Sequence, residues 1–372
     1  MANFFFYGTL CHGPLLDCVL GRPASPRAAH LPDHAVNWAA GGAFPLIHPQ
    51  PGAMAQGLLL EDLNAAEAAR LDHYEGGFGY LTRDVPVQAG GETVTARVYF
   101  PEPGRWQPAA PWSLADWVAR YGEAATATAA EFMALMGHVP AARLAARYGA
   151  MLARGAAQVR ARRPSPATLR RAATAEDVAI ETRATPYAKF FSVEDWRLGW
   201  RQFDGRMGAP ADRAVFVMAD AVTVLPYDPV RDRVLLIEQF RAGPLARGDA
   251  AAWQLEAVAG RIDPGETPEQ AARREALEEA GLTLDALIPV ADYYPSPGAI
   301  TEYLYSFVAL TDLPDGVAGI FGVEAEAEDI RGHLIPFAHM MDLVATGEIA
   351  NAPLILTALW LQRERPRLRA RS

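Results

Sequence analysis

Three glutamates lie within five residues of one another, in the segment REALEE at positions 274–279. In a helix, side chains three and four residues apart share one face, so Glu275, Glu278 and Glu279 would bring three negative charges together. A hard divalent cation such as Mg²⁺ relieves this repulsion, because it binds carboxylates together with water and phosphate oxygens. The spacing therefore predicts a metal site that acts on a phosphate or diphosphate group.

The residues on either side specify the helix that carries these glutamates. Thr267 is a favourable N-cap, Pro268 suits the first helical position, and Gln270 completes a capping box. Gly281 adopts the left-handed conformation that ends a helix at little cost, so we expect the helix to span 268–280. The apolar arc expected to pack on a sheet consists of Ala272, Ala276, Leu277 and Ala280.

The glutamates belong to a longer pattern, which reads Gly260, five residues, Glu266, seven residues and then REALEEAGL. A charged run alone is typical of a solvated helix face, but the placement of Gly260, Glu266 and Gly281 around it favours a site. The complete pattern resembles the Nudix box, the signature of Mg²⁺-dependent hydrolases that cleave a nucleoside diphosphate linked to another group. The fold that this resemblance implies is an α/β/α sandwich.

The Nudix resemblance also implies roles for individual residues. Mg²⁺, with Mn²⁺ as a substitute, would be bound by the carboxylates of Glu275, Glu278 and Glu279 and by the backbone carbonyl of Ala259. Glu279 is expected to be essential for catalysis. Arg274 would orient the outer carboxylates through charge-assisted hydrogen bonds, and Glu266 would brace the loop that precedes the helix.

A wider resemblance covers the chain from about Asp177 to Leu361. The segments that carry it are PYAKFFSVEDW, LPYDPVRDRVLLIEQFRAG, YYPSPGAITE and EAEDIRGHLIP, together with Pro297, sixteen residues after Gly281. They resemble the bacterial ADP-ribose pyrophosphatases. This resemblance implies hydrolysis of ADP-ribose to AMP and ribose 5-phosphate by a homodimer.

Four residues match substrate-binding positions of that family. Phe190 and Arg213, from different subunits, would clamp the adenine by stacking and a cation–π contact. Arg241 would hold a phosphate or the terminal ribose region. Glu302 would contact the terminal ribose, although the sequence SPGAITEY around it differs from the expected SPGGTSE form.

Two glutamates compete for the role of catalytic base, which must remove a proton from the attacking water. Glu326 aligns with the family's base on a mobile loop, and Glu328 is the other candidate. The segment before Glu326 is one residue longer than expected.

The first part of the chain predicts a separate β-domain. Strand-like runs occur at 3–7, 36–39, 56–60, 83–87 and 93–100, with a helical pattern at 64–74. Ala-rich stretches from Leu114 to Gln158 predict helices beside it. The segments FFFYGTL, GLLLEDL, LDHYEGGFGYLTRDV and TARVYF resemble the γ-glutamylcyclotransferase-like (AIG2-like) family, whose fold is a β-barrel with helices.

This second family implies its own site. The turn Tyr7-Gly8-Thr9-Leu10 would offer backbone N–H groups to an anionic or carbonyl group, with Gly8 allowing a close backbone approach. Glu75 would take a proton from an α-amine that attacks its own γ-carbonyl, so that 5-oxoproline forms and an amine leaves. The alternative for this domain is a binding or scaffolding role.

Length and composition fit two domains. The chain has 372 residues, of which 51% are hydrophobic, and this is too long for one ordinary core. We expect the first domain at 1–155, a Pro-containing linker at 156–170 and the Nudix domain at 171–372. The whole chain is therefore expected to be a two-domain α/β (α+β) protein.

Charge and cysteine content exclude several classes of protein. A formal charge of −10 argues against non-specific nucleic-acid binding. Cys11 and Cys18 lack a second pair of ligands, which makes a zinc site unfavourable. We expect neither a signal peptide nor a membrane span, and hence a cytoplasmic protein with no membrane partner.

Several functional hypotheses stay open from the sequence. The substrate could instead be another nucleoside diphosphate sugar or a dinucleotide. A non-catalytic ADP-ribose sensor is a further alternative, and so is a protein whose principal activity lies in the γ-glutamyl domain. The two-part layout also resembles tellurite-resistance-type proteins, a phenotype that does not follow from these residues.

Overall fold

The chain divides into two units, Met1–Arg171 and Ala172–Ser372. The computed structural model describes residues 1–323 and 328–370. A helix of the first unit spans Tyr148–Ala161, so the beginning of the expected linker at 156–170 is helical. The small residues of this stretch pack as a helix, although its composition resembles that of a linker.

The first unit is built on a closed barrel. Its strands are β1 (Ala2–Phe6), β2 (Arg27–Ala39), β3 (Pro45–Leu63), β4 (Tyr80–Ala89), β5 (Glu92–Pro101) and β6 (Pro108–Pro111). They follow the order β3-β1-β5-β4-β2, a pairing of β2 with β3 closes the barrel, and β6 pairs with the outside of β2. The pair β1–β5 is parallel and the other pairs are antiparallel. The β-barrel predicted for this domain is thus confirmed.

Strands β2 and β3 are much longer than the runs 36–39 and 56–60 that the sequence predicts. Proline and glycine between 45 and 57 predict turns, yet β3 runs through them and pairs with β2 on both sides of a local irregularity. The register shifts between Pro32 and His34, and the Asp33 carboxylate accepts a hydrogen bond of 2.8 Å from the Gly52 N–H. This side chain replaces a missing ladder bond, so the strands continue past the interruption.

Helices complete the first unit. They are α1 (Gly13–Leu20), α2 (Ala65–Glu75), α3 (Leu114–Trp117), α4 (Glu123–Ala134), α5 (Ala141–Ala145) and α6 (Tyr148–Ala161). Helix α2 begins with a capping box between Asn64 and Glu67. The barrel core includes Phe5, Leu31, Ile47, Leu59, Val87 and Val98.

The second unit has two sheets. Its strands are β7 (Val178–Ala188), β8 (Ser192–Trp200), β9 (Ala211–Val217), β10 (Ala221–Asp228), β11 (Arg233–Phe240), β12 (Trp253–Glu256), β13 (Val258–Arg261), β14 (Ala286–Tyr293), β15 (Leu304–Leu310), β16 (Ile320–Phe321) and β17 (Ile330–Pro336). The larger sheet has the order β14-β15-β10-β11-β17-β16, with β12 paired to β11 and β13 to β10. The smaller sheet has the order β7-β8-β9.

Helices cover both faces of the larger sheet. They are α7 (Ala242–Arg247), α8 (Pro268–Ala280), α9 (Phe337–Thr346) and α10 (Ala352–Arg369). On one face α8 packs Ala272 and Ala276 against Val224 and Ile237. On the other face Leu354 and Ala358 of α10 and Phe337 of α9 pack against side chains of β10 and β11 such as Leu225 and Leu236. This arrangement is the predicted α/β/α sandwich.

Helix α8 matches the caps written in the sequence. Thr267 and Gln270 form the capping box, and Gly281 has a φ of 63° in the left-handed region. Ala271, Ala272, Ala276 and Ala280 are fully or almost fully buried. The prediction for Leu277 is wrong, because its side chain is 57% exposed, whereas the alanines of the same helix are buried. None of the helices in the described part of the chain is both long and apolar enough to cross a membrane.

Candidate functional site

The acidic face of α8 points into the protein rather than into solvent. Glu279 is 1% exposed and Glu275 8% exposed, whereas Glu278 is less buried. Burial raises the pKa of Glu275 to about 7 and that of Glu279 to about 8. The nearby charge of Glu328 contributes to both of these shifts. Two buried carboxylates therefore lie together with too little positive charge to hold both ionised.

Gly260 is required by the position of Glu275. A Cβ atom at residue 260 would lie 1.9 Å from Oε1 of Glu275, far inside van der Waals contact. Strand β13 places Gly260 opposite Val222 of β10, so its backbone cannot move away without breaking the ladder. The glycine of the box thus opens the space in which the first glutamate lies against the sheet.

Glu279 is held by the strand that precedes the box. Its Oε2 accepts a hydrogen bond of 2.9 Å from the Ala259 N–H, and Nε2 of Gln239 lies 3.5 Å from its Oε1. Ala259, whose carbonyl is expected to bind the metal, is therefore next to this carboxylate. Gln239 is buried on β11 and was not predicted as a site residue.

Arg274 connects the box into one network. Its guanidinium donates to both oxygens of Glu266 at 3.0 and 3.1 Å, to Glu275 at 2.7 Å and to Glu278 at 3.0 Å. Glu266 in turn accepts a hydrogen bond from the Asp263 N–H at 3.1 Å. Arg274 and Glu266 therefore hold the preceding loop and the acidic face in a fixed relation, as the sequence predicts.

The donor set fits a hard divalent cation. In the described ranges no three Asp, Glu, His or Cys side chains surround one point as ligands, and Glu275 and Glu278 contact Arg274 instead. The carboxylates of Glu275 and Glu279 are nevertheless buried oxygen donors with raised pKa values. A cation would supply the charge that they lack, and carboxylate oxygens are what Mg²⁺ prefers.

Arg241 lies at the edge of this acidic site. It follows β11, and its guanidinium forms a bidentate ion pair with the buried Glu256 at 3.0 and 2.7 Å. Its charge favours ionisation of Glu279 and of Glu302, whose pKa is raised by burial and by Asp220. The structure thus brings Arg241 near Glu279 and Glu302 near Arg241. Glu256 is a partner of Arg241 that the sequence did not reveal.

The two candidates for the catalytic base are Glu326 and Glu328. Glu326 lies outside the described residues. Glu328 accepts a hydrogen bond of 3.1 Å from the Val323 N–H through Oε2, and its charge raises the pKa of both Glu275 and Glu279. Glu328 is therefore close enough to the acidic helix to act on it electrostatically.

The proposed adenine clamp is not assembled within one chain. The Phe190 side chain is 55% exposed, and the guanidinium above its ring belongs to Arg261, at 4.3 Å from the centroid. Arg213 lies instead over Trp200, at 5.1 Å. Phe190 and Arg213 therefore have other partners in this chain, and the clamp stays a prediction.

The first unit contains a cavity of about 320 Å³. All five predicted residues line it, namely Tyr7, Gly8, Thr9, Leu10 and Glu75. The aromatic part of the lining is Phe5, Phe6, Tyr7, Phe44, Tyr74, Phe78, Tyr80, Tyr99, Trp106, Trp117, Tyr121 and Tyr148. The sequence identified one end of this cavity but not its aromatic wall, because the rings come from segments far apart in the chain.

Glu75 is the last residue of α2 and the one charged residue in the lining, as far as the structure describes the chain. Burial raises its pKa to about 7, and its carboxyl group has no hydrogen-bond partner among the described residues. At Gly8 the close neighbour is Pro45, whose Cγ would lie 2.4 Å from an added Cβ, and the approach of a ligand to this backbone stays a prediction. Gly8 therefore shapes the cavity through the protein's own packing.

Comparison with known proteins matches each unit to a family. The model described as "NUDIX domain" matches residues 217–356, and the model described as "Gamma-glutamyl cyclotransferase, AIG2-like" matches residues 4–119. The first match covers Glu275 and Glu279 of the acidic helix, and the second covers Tyr7 and Glu75 of the cavity.

Relatives match the second part of the chain. An "ADP-ribose pyrophosphatase" of Escherichia coli (strain K12) is 40% identical over 186 residues, which span 50% of this chain and 88% of the relative. One of Haemophilus influenzae is 31% identical over 189 residues, 50% of this chain and 87% of the relative. A "GDP-mannose pyrophosphatase" of Escherichia coli (strain K12 / DH10B) is 32% identical over 150 residues, 40% of this chain and 77% of the relative.

A solved structure titled "Crystal structure of ADP compounds hydrolase" is 24% identical, with a TM-score of 0.39, over 52% of this chain and 98% of that chain. The identity of the curated relatives and the share of their length that is matched carry the assignment, together with the complete box on α8. The chain is a member of the Nudix hydrolase family, with an AIG2-like gamma-glutamyl cyclotransferase domain preceding its Nudix domain.

Proposed function

We propose that the second unit hydrolyses the diphosphate of ADP-ribose to AMP and ribose 5-phosphate with the help of Mg²⁺. The observation that carries this proposal is the pair of buried, under-compensated carboxylates, Glu275 and Glu279, on the box helix. Relatives at 40% and 31% identity that are named ADP-ribose pyrophosphatases favour this substrate. The relative named GDP-mannose pyrophosphatase supports another nucleoside diphosphate sugar as the alternative.

Each residue of the acidic site has a task in this proposal. The cation would be held by Glu275, Glu278, Glu279 and the Ala259 carbonyl. Arg274 would orient the outer carboxylates through its hydrogen bonds. When bound, the cation would polarise the diphosphate, offset charge on the leaving phosphate and lower the pKa of the attacking water. Arg241, fixed by Glu256, would donate its remaining N–H groups to a phosphate or to the terminal ribose region.

A carboxylate must accept the proton that the attacking water releases. Glu326 is the base proposed from the family alignment, and Glu328 is the competing candidate beside the acidic helix. Glu302, partly buried and near Arg241, would contact the terminal ribose. The variants Glu326→Gln and Glu328→Gln separate the two candidates, because only loss of the base should lower kcat strongly while the KM for ADP-ribose changes little.

The second copy of the chain would complete the substrate pocket. Exposed aromatic residues of the β7–β9 region favour such a dimer, namely Phe190, Trp200, Phe203 and Phe216. Phe190 of one subunit and Arg213 of the other would then clamp the adenine. Light scattering on the purified chain should give the mass of a dimer, and a fully active monomer would contradict this part of the proposal.

The proposed activity can be tested directly. The full chain is incubated with ADP-ribose and Mg²⁺, and AMP and ribose 5-phosphate are measured with and without a chelator. Release of AMP that the chelator abolishes is the expected result. Comparable rates with ADP-glucose, NADH or GDP-mannose would contradict the narrow specificity, and binding without turnover would support the sensor alternative.

The cavity of the first unit supports a second candidate activity, the cyclisation of γ-glutamyl compounds. Glu75 faces the cavity without a protein partner, and its raised pKa lets it exchange a proton near neutral pH. In the proposed reaction the neutral α-amine bonds to the γ-carbonyl carbon, Glu75 takes one proton from this nitrogen, and the bond to the leaving nitrogen breaks. The leaving nitrogen receives the proton, so 5-oxoproline and a free amine are the products.

Release of 5-oxoproline from a γ-glutamyl amine by the full chain is the test of this activity. Glu75→Gln should abolish the release and leave AMP production from ADP-ribose unchanged. If no γ-glutamyl compound in a panel yields 5-oxoproline, the unit is a binding or scaffolding module instead.

A further inference from the structure

Helices beyond the family match form part of the cavity. The AIG2-like match ends at residue 119, yet Tyr121, Ala125, Tyr148 and Leu152 line the same cavity as Glu75. These residues belong to the segment 120–161, which we call the helical extension. The cavity therefore includes a wall that the family domain alone does not supply.

The extension is fixed against the residues that carry Glu75. The hydroxyl groups of Tyr74 and Tyr148 lie 3.3 Å apart, and the rings of Phe78 and Tyr148 meet edge to face at 5.1 Å. A Cβ atom on Gly77 would lie 2.5 Å from the Ala141 carbonyl oxygen. Residues on both sides of Glu75 thus contact the helical extension. The position of Glu75 therefore depends on the helices of this extension.

Contacts within the extension keep its wall rigid. Helices α4 and α6 approach so closely that a Cβ on Gly155 would lie 2.4 Å from Oγ1 of Thr128. The buried guanidinium of Arg154 pairs with Glu131. Leu152 and Tyr148 are thereby presented to the cavity from a packed helix rather than from a mobile tail.

Most polar atoms of the cavity are already engaged by the protein. The Tyr7 hydroxyl donates to the Tyr99 carbonyl at 2.7 Å, and the Tyr99 hydroxyl donates to Asp72 at 2.7 Å. The Trp117 indole N–H donates to the Ala43 carbonyl at 3.0 Å. The polar contacts that remain for a ligand are Glu75, the turn at 7–10, the Trp106 indole N–H and the Tyr121 hydroxyl, and of these only Glu75 can carry a charge.

The lining residues that the structure describes carry no positive charge. Among the lining residues that the structure describes there is no lysine, arginine or histidine. Arg105 lies over the ring of Trp106 at 4.8 Å, but it is exposed, outside the lining and paired with Glu102 at 2.8 Å. A second carboxylate on the ligand would thus be desolvated without a cationic partner, which is unfavourable.

We infer that the helical extension is a specificity element, which selects γ-glutamyl compounds whose second component is apolar and carries no carboxylate. This inference rests on the proposed cyclotransferase function of the first unit. The γ-glutamyl group would lie at Glu75 and the turn at 7–10. The apolar component would lie against Tyr121, Tyr148 and Leu152, where aromatic and aliphatic contacts stabilise it.

Two matched compounds test the selectivity. γ-Glutamylphenethylamine and γ-glutamylphenylalanine differ only by the carboxylate of the second component. We expect kcat/KM for 5-oxoproline release by the full chain to be at least about tenfold higher for the first compound. Binding is measured in parallel through the fluorescence of Trp106 and Trp117, which line the cavity.

Variants of α6 test the role of the extension. Leu152→Arg places a cation in the wall and should raise the relative activity toward γ-glutamylphenylalanine by about tenfold. Leu152→Phe keeps the wall apolar but fills space, so it should weaken binding of both compounds and leave their ratio unchanged. Gln158→Arg, on the exposed side of the same helix, is the matched control and should change nothing.

The outcomes separate the inference from the function on which it rests. If neither compound yields 5-oxoproline but binding follows the expected order, the cyclotransferase function fails and the specificity inference stands. Equal use of both compounds, or a preference for γ-glutamylphenylalanine, overturns the inference. It is also overturned if the folded Leu152→Arg and Leu152→Phe proteins behave as the wild type, or if neither compound binds.

Discussion

Buried glutamates occupy both candidate sites, but their surroundings differ. On α8 the pKa of Glu279 is raised to about 8, first by burial and then by the charges of Glu275 and Glu328. In the first unit the pKa of Glu75 is raised to about 7 by burial alone. A cation would stabilise neighbouring like charges, whereas a single carboxyl group among aromatic rings can exchange a proton with a ligand. Similar pKa values thus correspond to different chemistry.

The sites also differ in how they are assembled. The acidic site draws Gly260, Glu266 and the three box glutamates from one continuous segment, whose helix begins and ends at local caps. The cavity combines a turn after β1, the end of α2, barrel strands and the helical extension. A local change should therefore affect the first site sharply, while the second depends on the packing of the whole unit.

Removing one box carboxylate is the largest effect that we expect. Glu279→Gln deletes a proposed cation ligand, and because loss of an outer-sphere partner alone costs about 10–100-fold, AMP release should fall by on the order of 100-fold or more. Stability should be kept, since the amide oxygen of glutamine can still accept the hydrogen bond from the Ala259 N–H. Initial rates with ADP-ribose and Mg²⁺ measure the first effect and circular dichroism melting the second.

Glu269→Gln is the matched control, because Glu269 is an exposed residue of the first turn of the same helix. Its activity should equal that of the wild type. A folded Glu279→Gln protein with normal activity would remove the distinction drawn between the two glutamate environments.

The isolated glutamate of the first unit should reveal itself through pH. Its folded pKa of about 7 lies above the ordinary value of 4.5, so the unfolded chain loses this proton first. The stabilising contribution is complete below pH 4.5, declines as the pH rises toward 7, and is lost above that value. At pH 8, Glu75→Gln should therefore raise the free energy of unfolding by about 3 kcal/mol at most.

Urea unfolding of the wild type and of Glu75→Gln at pH 5 and pH 8 measures this difference. Glu92→Gln, at an exposed position of β5, serves as the control and should leave the pH dependence unchanged. An identical pH profile for Glu75→Gln and the wild type would show that Glu75 is not held in an environment that disfavours its charge.

Gly260→Ala should separate geometry from charge at the acidic site. The added Cβ would displace the Glu275 carboxylate, whose flexible end can move, so activity should drop by about 10–100-fold while stability changes little. Gly243→Ala, at an ordinary φ with open space around the added atom, is the control. Wild-type AMP release by Gly260→Ala would show that the position of Glu275 against β13 is not needed.

Loss of a helix cap is the smallest effect that we expect. Both site helices begin with a capping box, at Asn64 in α2 and at Thr267 in α8. Asn64→Ala and Thr267→Ala should each lower the free energy of unfolding by about 1 kcal/mol. Asn64 lies at the opposite end of α2 from Glu75, whereas Thr267 lies within a few turns of Glu275. Only Thr267→Ala should therefore also lower activity at its own site, by a small factor in steady-state assays.

Local sequence was sufficient for much of the Nudix unit. The caps at Thr267 and Gly281 predict the limits of α8, and the i, i+3, i+4 spacing predicts one acidic face, because both depend on residues within a few turns of one another. The same local rules misplaced Leu277, since helical periodicity gives a face but not the width of its contact with the sheet. They also shortened β2 and β3, because an Asp33 side chain bridges the proline-rich interruption only once the strands have paired.

Tertiary structure decided what surrounds those residues. The sequence determined two domains, the acidic helix, the turn at 7–10 and the choice of Glu75 as a candidate, since each is encoded in short motifs. Only the fold paired Arg241 with Glu256 and gave Glu279 its hydrogen bond from the Ala259 N–H. It also brought Tyr148 to Tyr74. These partners are separated by many residues along the chain. Burial and charge depend on such distant neighbours, and so does the chemistry that each carboxylate can perform.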